Sequence, residues 1–369
     1  MSRTFICSRC GREHPISECC IFDGQNLCRN CYDTATCVCD HCGRHIWAED
    51  SCGDEHHSLC RACMERYYTH CTDCGRLVER DNLHFISENN TDGCCTECYE
   101  RRLRESGIRS YSYKPEPIFY GGGFRYFGVE LEIDCGGENH ENAIQLQRVG
   151  NENHEHIYIK HDGSLDEGME IVTHPMTLEY HQQKMPWRRL LRQAVGMSYR
   201  SHQAGTCGLH VHVNRSSLGS YQEEQEGTIS RILYLVENFW YELLRFSRRT
   251  QEQMDHWASR YGRKDEPKDV LYTAKCSGNR YNCVNLLSSD TIEFRMFRGT
   301  LKYNTLIATL QLVEFLCNVA LSMSDDEIKM LTWSKFVSMV SVETMPELIQ
   351  YLKERWLYVN APVAAEEEV

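Results

Sequence analysis

Lysine is missing ahead of Lys114, no run of 18 apolar residues occurs anywhere in the 369-residue chain, and positive charge is outnumbered, with 40 Lys+Arg against 53 Asp+Glu. Each absence narrows the field. Without a long apolar run the sequence offers no membrane span. Met1 to Cys7 contains no apolar stretch of the kind that directs export, so an extracellular disulfide framework is not expected. A formal net charge of −13 argues against a chain that coats phosphate backbones. Residues 1–110 carry 13 Arg, no Lys and 18 Asp+Glu, so they lack the basic footprint of a DNA reader. With 41% hydrophobic and 25% charged residues the composition is that of a folded protein, and the length suggests two domains or three.

What the chain has in excess is cysteine. Of 22 cysteines, 17 fall in the first 98 residues. Cys7/Cys10, Cys39/Cys42 and Cys71/Cys74 are Cys-x-x-Cys pairs spaced 32 residues apart, each followed by Gly-Arg. A second pair closes each repeat: Cys28/Cys31, Cys60/Cys63 and Cys95/Cys98. Two such turns present four thiolates, the number a tetrahedral zinc site requires. The glycine after each first pair suits a tight turn that aims backbone N–H groups at sulfur. Helix-prone sequence follows each second pair, as in treble-clef or LIM-like zinc units. Cys19, Cys20, Cys37, Cys52 and Cys94 are left over, and His45, His56 or His57 could substitute as ligands in the second unit. A small cysteine core or redox use is the bland alternative, which the threefold spacing disfavours. Units this small bury too little apolar surface to fold without metal. Metal-bound thiolates suit a reducing, cytoplasmic setting.

From 105 to 123 the pattern dissolves into Ser-Gly, Lys-Pro-Glu-Pro and Gly121-Gly122-Gly123, which reads as a linker with a hinge or flap. A strand follows the glycines, so a helix-dipole phosphate loop is not expected. Further on, period-two segments recur. Phe127–Asp134 sets Glu130, Glu132 and Asp134 opposite Val129, Leu131 and Ile133. Glu170 lies in a similar strand, His210 and His212 share a face backed by Leu209, Val211 and Val213, and Glu293 pairs with Arg295 against Ile292, Phe294 and Met296. Singly, such strands are usually solvated faces. On one sheet they would crowd carboxylates whose repulsion calls for divalent cations, with Arg280, Arg295 and Arg298 suited to an anion bridging them. Residues 181–197, 228–247, 305–322, 325–340 and 346–358 read as core helices covering the other face. Residues 248–275 are polar and Trp-bearing, as a mobile cover would be, and the Glu366–Glu368 tail reads as solvated.

Five segments in order carry a resemblance: Gly128-Val-Glu-Leu-Glu132, Asp162-Gly-Ser164 leading to Gly168-Met-Glu-Ile-Val-Thr-His-Pro175, Cys207-Gly-Leu-His-Val-His-Val213, Arg280-Tyr-Asn-Cys-Val-Asn-Leu286 and Ile292-Glu-Phe-Arg-Met296. Over 124–306 the chain resembles the amidoligase family, carboxylate–amine ligases with the fold of glutamine synthetase and glutamate–cysteine ligase. The resemblance implies an α+β class: a curved antiparallel sheet covered by helices. The three zinc units lie outside it and precede it, so the expected layout is zinc units at 1–104, a linker at 105–123, the catalytic domain at 124–360 and a tail at 361–369. It implies ATP, Mg²⁺ or Mn²⁺, and an acyl phosphate that an amine converts to an amide or isopeptide. By motif, Glu130, Glu132, Glu170, His210 and Glu293 become ligands of those ions, and His212 faces the nucleotide phosphates. Arg295 and Arg298 stabilise the transferred phosphoryl group, while Arg280 and Asn285 sit at its edge. Asp162 and Ser164 either shape the pocket or form a turn. Zinc at Cys7, Cys10, Cys28, Cys31, Cys39, Cys42, Cys60, Cys63, Cys71, Cys74, Cys95 and Cys98 would serve to recruit a peptide or protein partner rather than nucleic acid. A small amine or amino acid is the other candidate substrate, and relatives of this fold are often oligomeric. Two competing readings stay open: a metal-dependent hydrolase built on Glu130, Glu132, His210 and His212, and a non-enzymatic zinc adaptor.

Overall fold

The structure, a computed structural model, describes residues 3–85 and 93–358. The acidic tail lies outside them. The chain forms two compact units, Met1–Glu105 and Ser106–Val369.

In the first unit the 32-residue repeat becomes a repeated hairpin-and-helix. The hairpins Thr4–Ile6/Glu13–Pro15, Thr36–Val38/His45–Trp47 and Tyr68–His70/Leu77–Glu79 each carry a first cysteine pair in their turn. The helices Arg29–Ala35, Arg61–Tyr67 and Thr96–Ser106 start at the second pair of each repeat. Gly11, Gly43 and Gly75 all hold φ near +70°, the left-handed region that glycine enters without a Cβ penalty. Their N–H groups bond the carbonyls of Cys7, Cys39 and Cys71, not sulfur. Donors to sulfur include the second pair: the N–H of Cys28 reaches Cys7 Sγ at 3.3 Å and that of Cys95 reaches Cys71 Sγ at 3.2 Å. Each unit's buried apolar cluster is little more than its cysteines, joined by Leu27 in the first and Leu59 in the second.

The second unit is built on one seven-stranded sheet: β1 (Ile108–Arg109), β2 (Phe127–Ile133), β3 (Ile157–Lys160), β4 (Met169–Thr173), β5 (Gly208–Asn214), β6 (Val284–Asn285) and β7 (Thr291–Arg298). Their spatial order is β6-β7-β5-β2-β4-β3-β1. All pairings are antiparallel except β1 with β3, so the sheet is mixed at that edge. β1 falls inside the stretch read from sequence as a linker. Tyr120 also exchanges backbone bonds with Pro175 and Thr177, and a Cβ on Gly121 would lie 2.2 Å from Thr177 Oγ1. The triple glycine therefore marks a close approach of two chain segments, and residues 108–123 belong to the second unit.

One face of the sheet is apolar. Val129, Leu131, Ile133, Ile171, Leu209, Val211, Ile292 and Phe294 are all fully buried there. The helix Tyr303–Ser322 contributes Leu306, Leu310, Val313 and Leu316 to the same core. It is the one helix among the described residues long and apolar enough to cross a membrane, but 78% of its apolar window is buried inside the protein, as a core helix would be. The expected 228–247 helix breaks at Phe239 into Gln222–Asn238 and Trp240–Ser247. His140–Gly150 is a further helix, and Gln251–Trp257 and Pro267–Ser277 are helical where sequence patterning suggested a mobile cover. The last two are helices whose polar majority hides the few buried positions, Met254 in one and Pro267, Val270, Leu271 and Ala274 in the other.

Under β2 lies a buried histidine with a fixed tautomer. His181 Nε2 donates to the Phe127 carbonyl at 3.1 Å, and its Nδ1 accepts from Trp187 Nε1–H at 3.2 Å. Burial pushes its pKa down from 6.5 to about 4, against the pull of the Phe127 bond. Protonation would cost the Trp187 bond and place a charge in the core. The folded state therefore stays neutral where the unfolded chain takes up a proton. Stability is full above about pH 6.5 and falls as pH drops toward 4, by about 3 kcal/mol for this one group. Urea unfolding at pH 7.5 and pH 5 measures the loss, and His181→Gln should flatten that dependence.

Candidate active site

The opposite face of the sheet gathers the charged residues. Register places Glu132 opposite Glu170, Glu130 opposite His210, and His212 opposite Glu293. Alternation puts six metal-capable side chains from four strands on one surface. Glu130 is central: its carboxylate lies 3.2 Å from His210 Nδ1 and 3.1 Å from His212 Nε2. Glu132 stands 3.7 Å from His210 Nε2 and accepts from the Gly208 N–H. Two overlapping groups can each hold a cation, Glu130/Glu170/His210 and Glu130/His212/Glu293, with ligand atoms within 4.8 Å of one another in each. Glu130 is common to both.

The electrostatics follow from crowding. Burial pushes Glu170 well above the usual carboxylate range, the Glu130 charge adds to this, and Lys160 at 3.6 Å opposes it. Burial also works against the Glu130 charge, but His212 and His210 outweigh it and hold that carboxyl well below its ordinary value. His212 is raised overall: burial lowers it, and the charge of Glu130 more than reverses the effect. His212 Nε2 is buried and, despite its closeness to Glu130, lacks hydrogen-bond geometry to any partner. An imidazole nitrogen directed at two carboxylates without a hydrogen bond suits a metal ligand, so Mg²⁺ or Mn²⁺ fits the donor set. Sequence reasoning set His212 toward nucleotide phosphates; the geometry groups it with the carboxylates instead.

The arginines divide. Arg295 donates to Glu293, while its Nε is buried without a partner. Arg280 lies over the ring of Tyr281 at 4.9 Å and near that of Tyr111 at 5.8 Å. Both line a small cavity of about 40 Å³ whose wall includes Glu132, His210, Arg249 and Trp257. Arg298 does not line it. Its side chain turns into a neighbouring pocket with Arg245, Arg248, Arg249 and Arg355, away from where the motif placed it. A bulge keeps Arg298 on the polar face: between Leu209 and Val211 the pairing shifts, setting Leu209 opposite Phe297 and Gly208 opposite Arg298, beyond the carboxylate cluster. Strict alternation from Glu293 would have buried Arg298.

Asn285 donates to Glu293 Oε2 at 2.8 Å, so it orients that carboxylate. Asp162 accepts from the Ser164 N–H at 2.8 Å, and both residues line the cavity, so turn and pocket wall coincide. Asp134 is spent on structure, accepting from the N–H groups of Cys135, Asp166 and Glu167 and from Thr206. Lys160 and Arg249 were missed from sequence. Lys160 ends an apolar strand, Ile157–Lys160, and stands opposite Glu170, which only register could reveal. Arg249 has no patterned neighbours at all.

In the first unit the four sulfurs of Cys7/Cys10/Cys28/Cys31, of Cys39/Cys42/Cys60/Cys63 and of Cys71/Cys74/Cys95/Cys98 lie within 4.8 Å of one another in each set. These clusters fit zinc knuckles. Burial pushes Cys39 and Cys71 up, but backbone N–H bonds win and hold each at about 6, the thiolate side of neutrality. His45 contacts Tyr32, and His57 contacts Asp54, so neither enters the second set. Cys94 donates to the His84 carbonyl.

The family model described as "Putative amidoligase enzyme" matches residues 150–317. Over this stretch, somewhat under half of the chain, the sequence is similar to the amidoligase family, in the region where the motifs lie. The matched stretch holds Glu170, His210, His212, Glu293 and Arg295; it begins after the strand of Glu130 and Glu132 and extends beyond 306. No curated protein matches the chain. A bifunctional glutathione synthetase from Pasteurella multocida is similar at 14% identity and TM-score 0.34, over 63% of this chain and 46% of its own. The ligase PafA, solved with the prokaryotic ubiquitin-like protein Pup, is similar at 10% identity and TM-score 0.30, over 65% and 59%. The chain thus covers about half of the length of the first and three-fifths of the second.

Proposed function

We propose that the second unit is an ATP-dependent carboxylate–amine ligase and that the zinc units recruit a peptide or protein partner to it. The observation that carries this reading is the two cation-capable groups sharing Glu130, with the unpartnered Nε of Arg295 beside them. Glu130, Glu170 and His210 would hold one divalent ion, and Glu130, His212 and Glu293 a second, with Glu132 adjoining. When bound, the ions supply the charge neutralisation that phosphates need on a face this acidic. A hydrolase built on the same groups would have no use for Arg295 and Arg280 at its wall.

A carboxylate is a poor electrophile and must be activated before an amine can displace anything from it. An oxygen of the acid attacks the γ-phosphorus, the bond to the β-bridging oxygen breaks, and ADP departs. The amine nitrogen then attacks the acyl carbon, phosphate leaves, and the nitrogen gives up a proton. Through these steps this chain's residues orient and neutralise. Asn285 fixes Glu293, Glu293 fixes Arg295, and Arg295 presents its free N–H to the moving phosphoryl oxygens. Lys160 offsets the charge of Glu170. Trp257 and Tyr281, whose rings meet edge to face, wall the site against water.

ATP should yield ADP and phosphate only when a carboxylic acid and an amine are both supplied. Arg295→Ala should lower kcat by roughly 10²- to 10³-fold with little change in KM for ATP, and Arg295→Lys should recover part of it. Equal ATP splitting with neither acceptor present would sink the ligase reading, and activity without nucleotide would favour the hydrolase.

A further inference from the structure

Beside the carboxylate cluster lies a second pocket of opposite sign. Arg245, Arg248, Arg249, Arg298 and Arg355 line a cavity of about 460 Å³ together with His202, open to solvent at Arg245 and Tyr241. Among the described residues none of the five guanidinium groups makes a salt bridge, although ten other arginines do. Their hydrogen bonds go to backbone carbonyls: Arg298 to that of Arg248, Arg249 to Phe297, and Arg355 to Arg245. Buried N–H groups remain without partners on Arg248, Arg249 and Arg298, and so does Nδ1 of His202. Arg249 is only 9% exposed.

Five like charges held together at this cost need an anion to repay them. Protein acids supply little: Glu354 acts on Arg248 only at a distance, and Glu132 does the same for Arg249. Burial, and then the charges of Arg248 and Arg298, hold His202 neutral with its pKa down to about 4, which shows the sign of the local potential.

The pocket's place on the sheet narrows the ligand. Arg249 lines both this pocket and the small cavity of the carboxylate site. A Cβ on Gly208 would lie 2.6 Å from His210 Nε2 and 2.8 Å from Arg249 Nη2, so this glycine lets the guanidinium reach the metal-capable histidine. The arginines cluster at the Gly208/Arg298 end of β5 and β7, while Asn285, His212 and Glu293 lie further along the same pair. In-line phosphoryl transfer puts donor and acceptor on opposite sides of the moving group. Assigning the arginine end to the acid to be activated leaves the Asn285 end, across the carboxylate cluster, to the nucleotide.

We propose that the arginine pocket holds the non-reacting carboxylates of the acid substrate and that this substrate is an acidic peptide bearing several carboxylates in a row. The proposal rests on the ligase reading for the direction of the chemistry, not for the binding itself. Five guanidiniums exceed what one carboxylate can neutralise, and the open side lets a chain run out into solvent. Paired forks on planar carboxylates are the geometry arginine provides best.

The test uses the full chain and a fluorescein-labelled tetraglutamate peptide, with affinity read by anisotropy without nucleotide. The double variant Arg248→Gln/Arg355→Gln should weaken peptide binding at least tenfold, while MgATP binding by calorimetry changes less than twofold. Arg248→Lys/Arg355→Lys should retain most of the peptide affinity, and an unchanged melting temperature in both variants excludes misfolding as the cause. An equal loss of MgATP or inorganic triphosphate binding would assign the pocket to the nucleotide and overturn the proposal. So would unchanged peptide binding, or tighter binding of an oligouridylate of equal charge. Tetraglutamate binding with this arginine dependence, in a protein that never turns over ATP, would leave the pocket standing and remove the ligase reading.

Discussion

Glu130→Gln should abolish turnover while leaving the fold intact. Glu130 belongs to both cation-capable groups, and its carboxylate contacts both histidines, so its replacement weakens two metal positions at once. The amide keeps the shape and can still bond one imidazole, but it cannot neutralise a divalent ion or hold two. Product formation from ATP, acid and amine is expected to fall at least 10³-fold, more than for Glu132→Gln, whose carboxylate takes part through His210 and the Gly208 N–H. The circular dichroism spectrum and melting temperature should change little, because removing one of several crowded carboxylates relieves repulsion around Glu170. Activity within tenfold of the wild type would mean that this face is not the reaction centre.

The second large effect concerns the first unit. A strong zinc chelator should unfold residues 1–105 and leave 106–358 folded. Apart from cysteines, the first set has one fully buried apolar side chain, Leu27, the second has Leu59 and the third has none, far too few to offset the conformational entropy of about 30 residues. The sheet unit has a continuous core from Ile108 to Leu357 that owes nothing to the sulfurs. Limited proteolysis after chelation should therefore cut within the first unit and release an intact second one. Metal analysis should find three zinc ions per chain, and Cys39→Ala should lower that to two. Resistance of the first unit to proteolysis after complete zinc removal would show that something other than metal holds it.

How much of this was legible beforehand can be seen residue by residue. The four-cysteine clusters were, because a 32-residue period with paired thiolates leaves few geometries open, and the structure brings together the same twelve cysteines. The polar sheet face was legible as well: in a strand, alternate residues share a side whatever the pairing, so Glu130 and Glu132, or His210 and His212, had to stand together. What alternation does not specify is which strands are neighbours. That Glu170 faces Glu132 and Lys160, or that His212 faces Glu293, depends on register between segments far apart in the chain.

The misreadings have the same origin. Residues 108–123 lack periodicity and so suggested a linker, yet they supply a strand and a close glycine contact, because short segments are stabilised by what they pack against and not by their own pattern. Arg298 reaches the polar face only because one bulge reverses the alternation, and there it lines the neighbouring arginine pocket instead of the small cavity. The arginine pocket had no sequence signature: Arg245, Arg248 and Arg249 end one helix, Arg298 ends a strand and Arg355 follows another helix. The sequence by itself determined the donor atoms, the thiolates of the first unit and the carboxylates and imidazoles of the second, because local periodicity dictates which side chains share a face. Only the tertiary structure decided that a cationic pocket lies against the acidic face and meets it at Arg249, because that depends on long-range register, a bulge and a missing Cβ at Gly208.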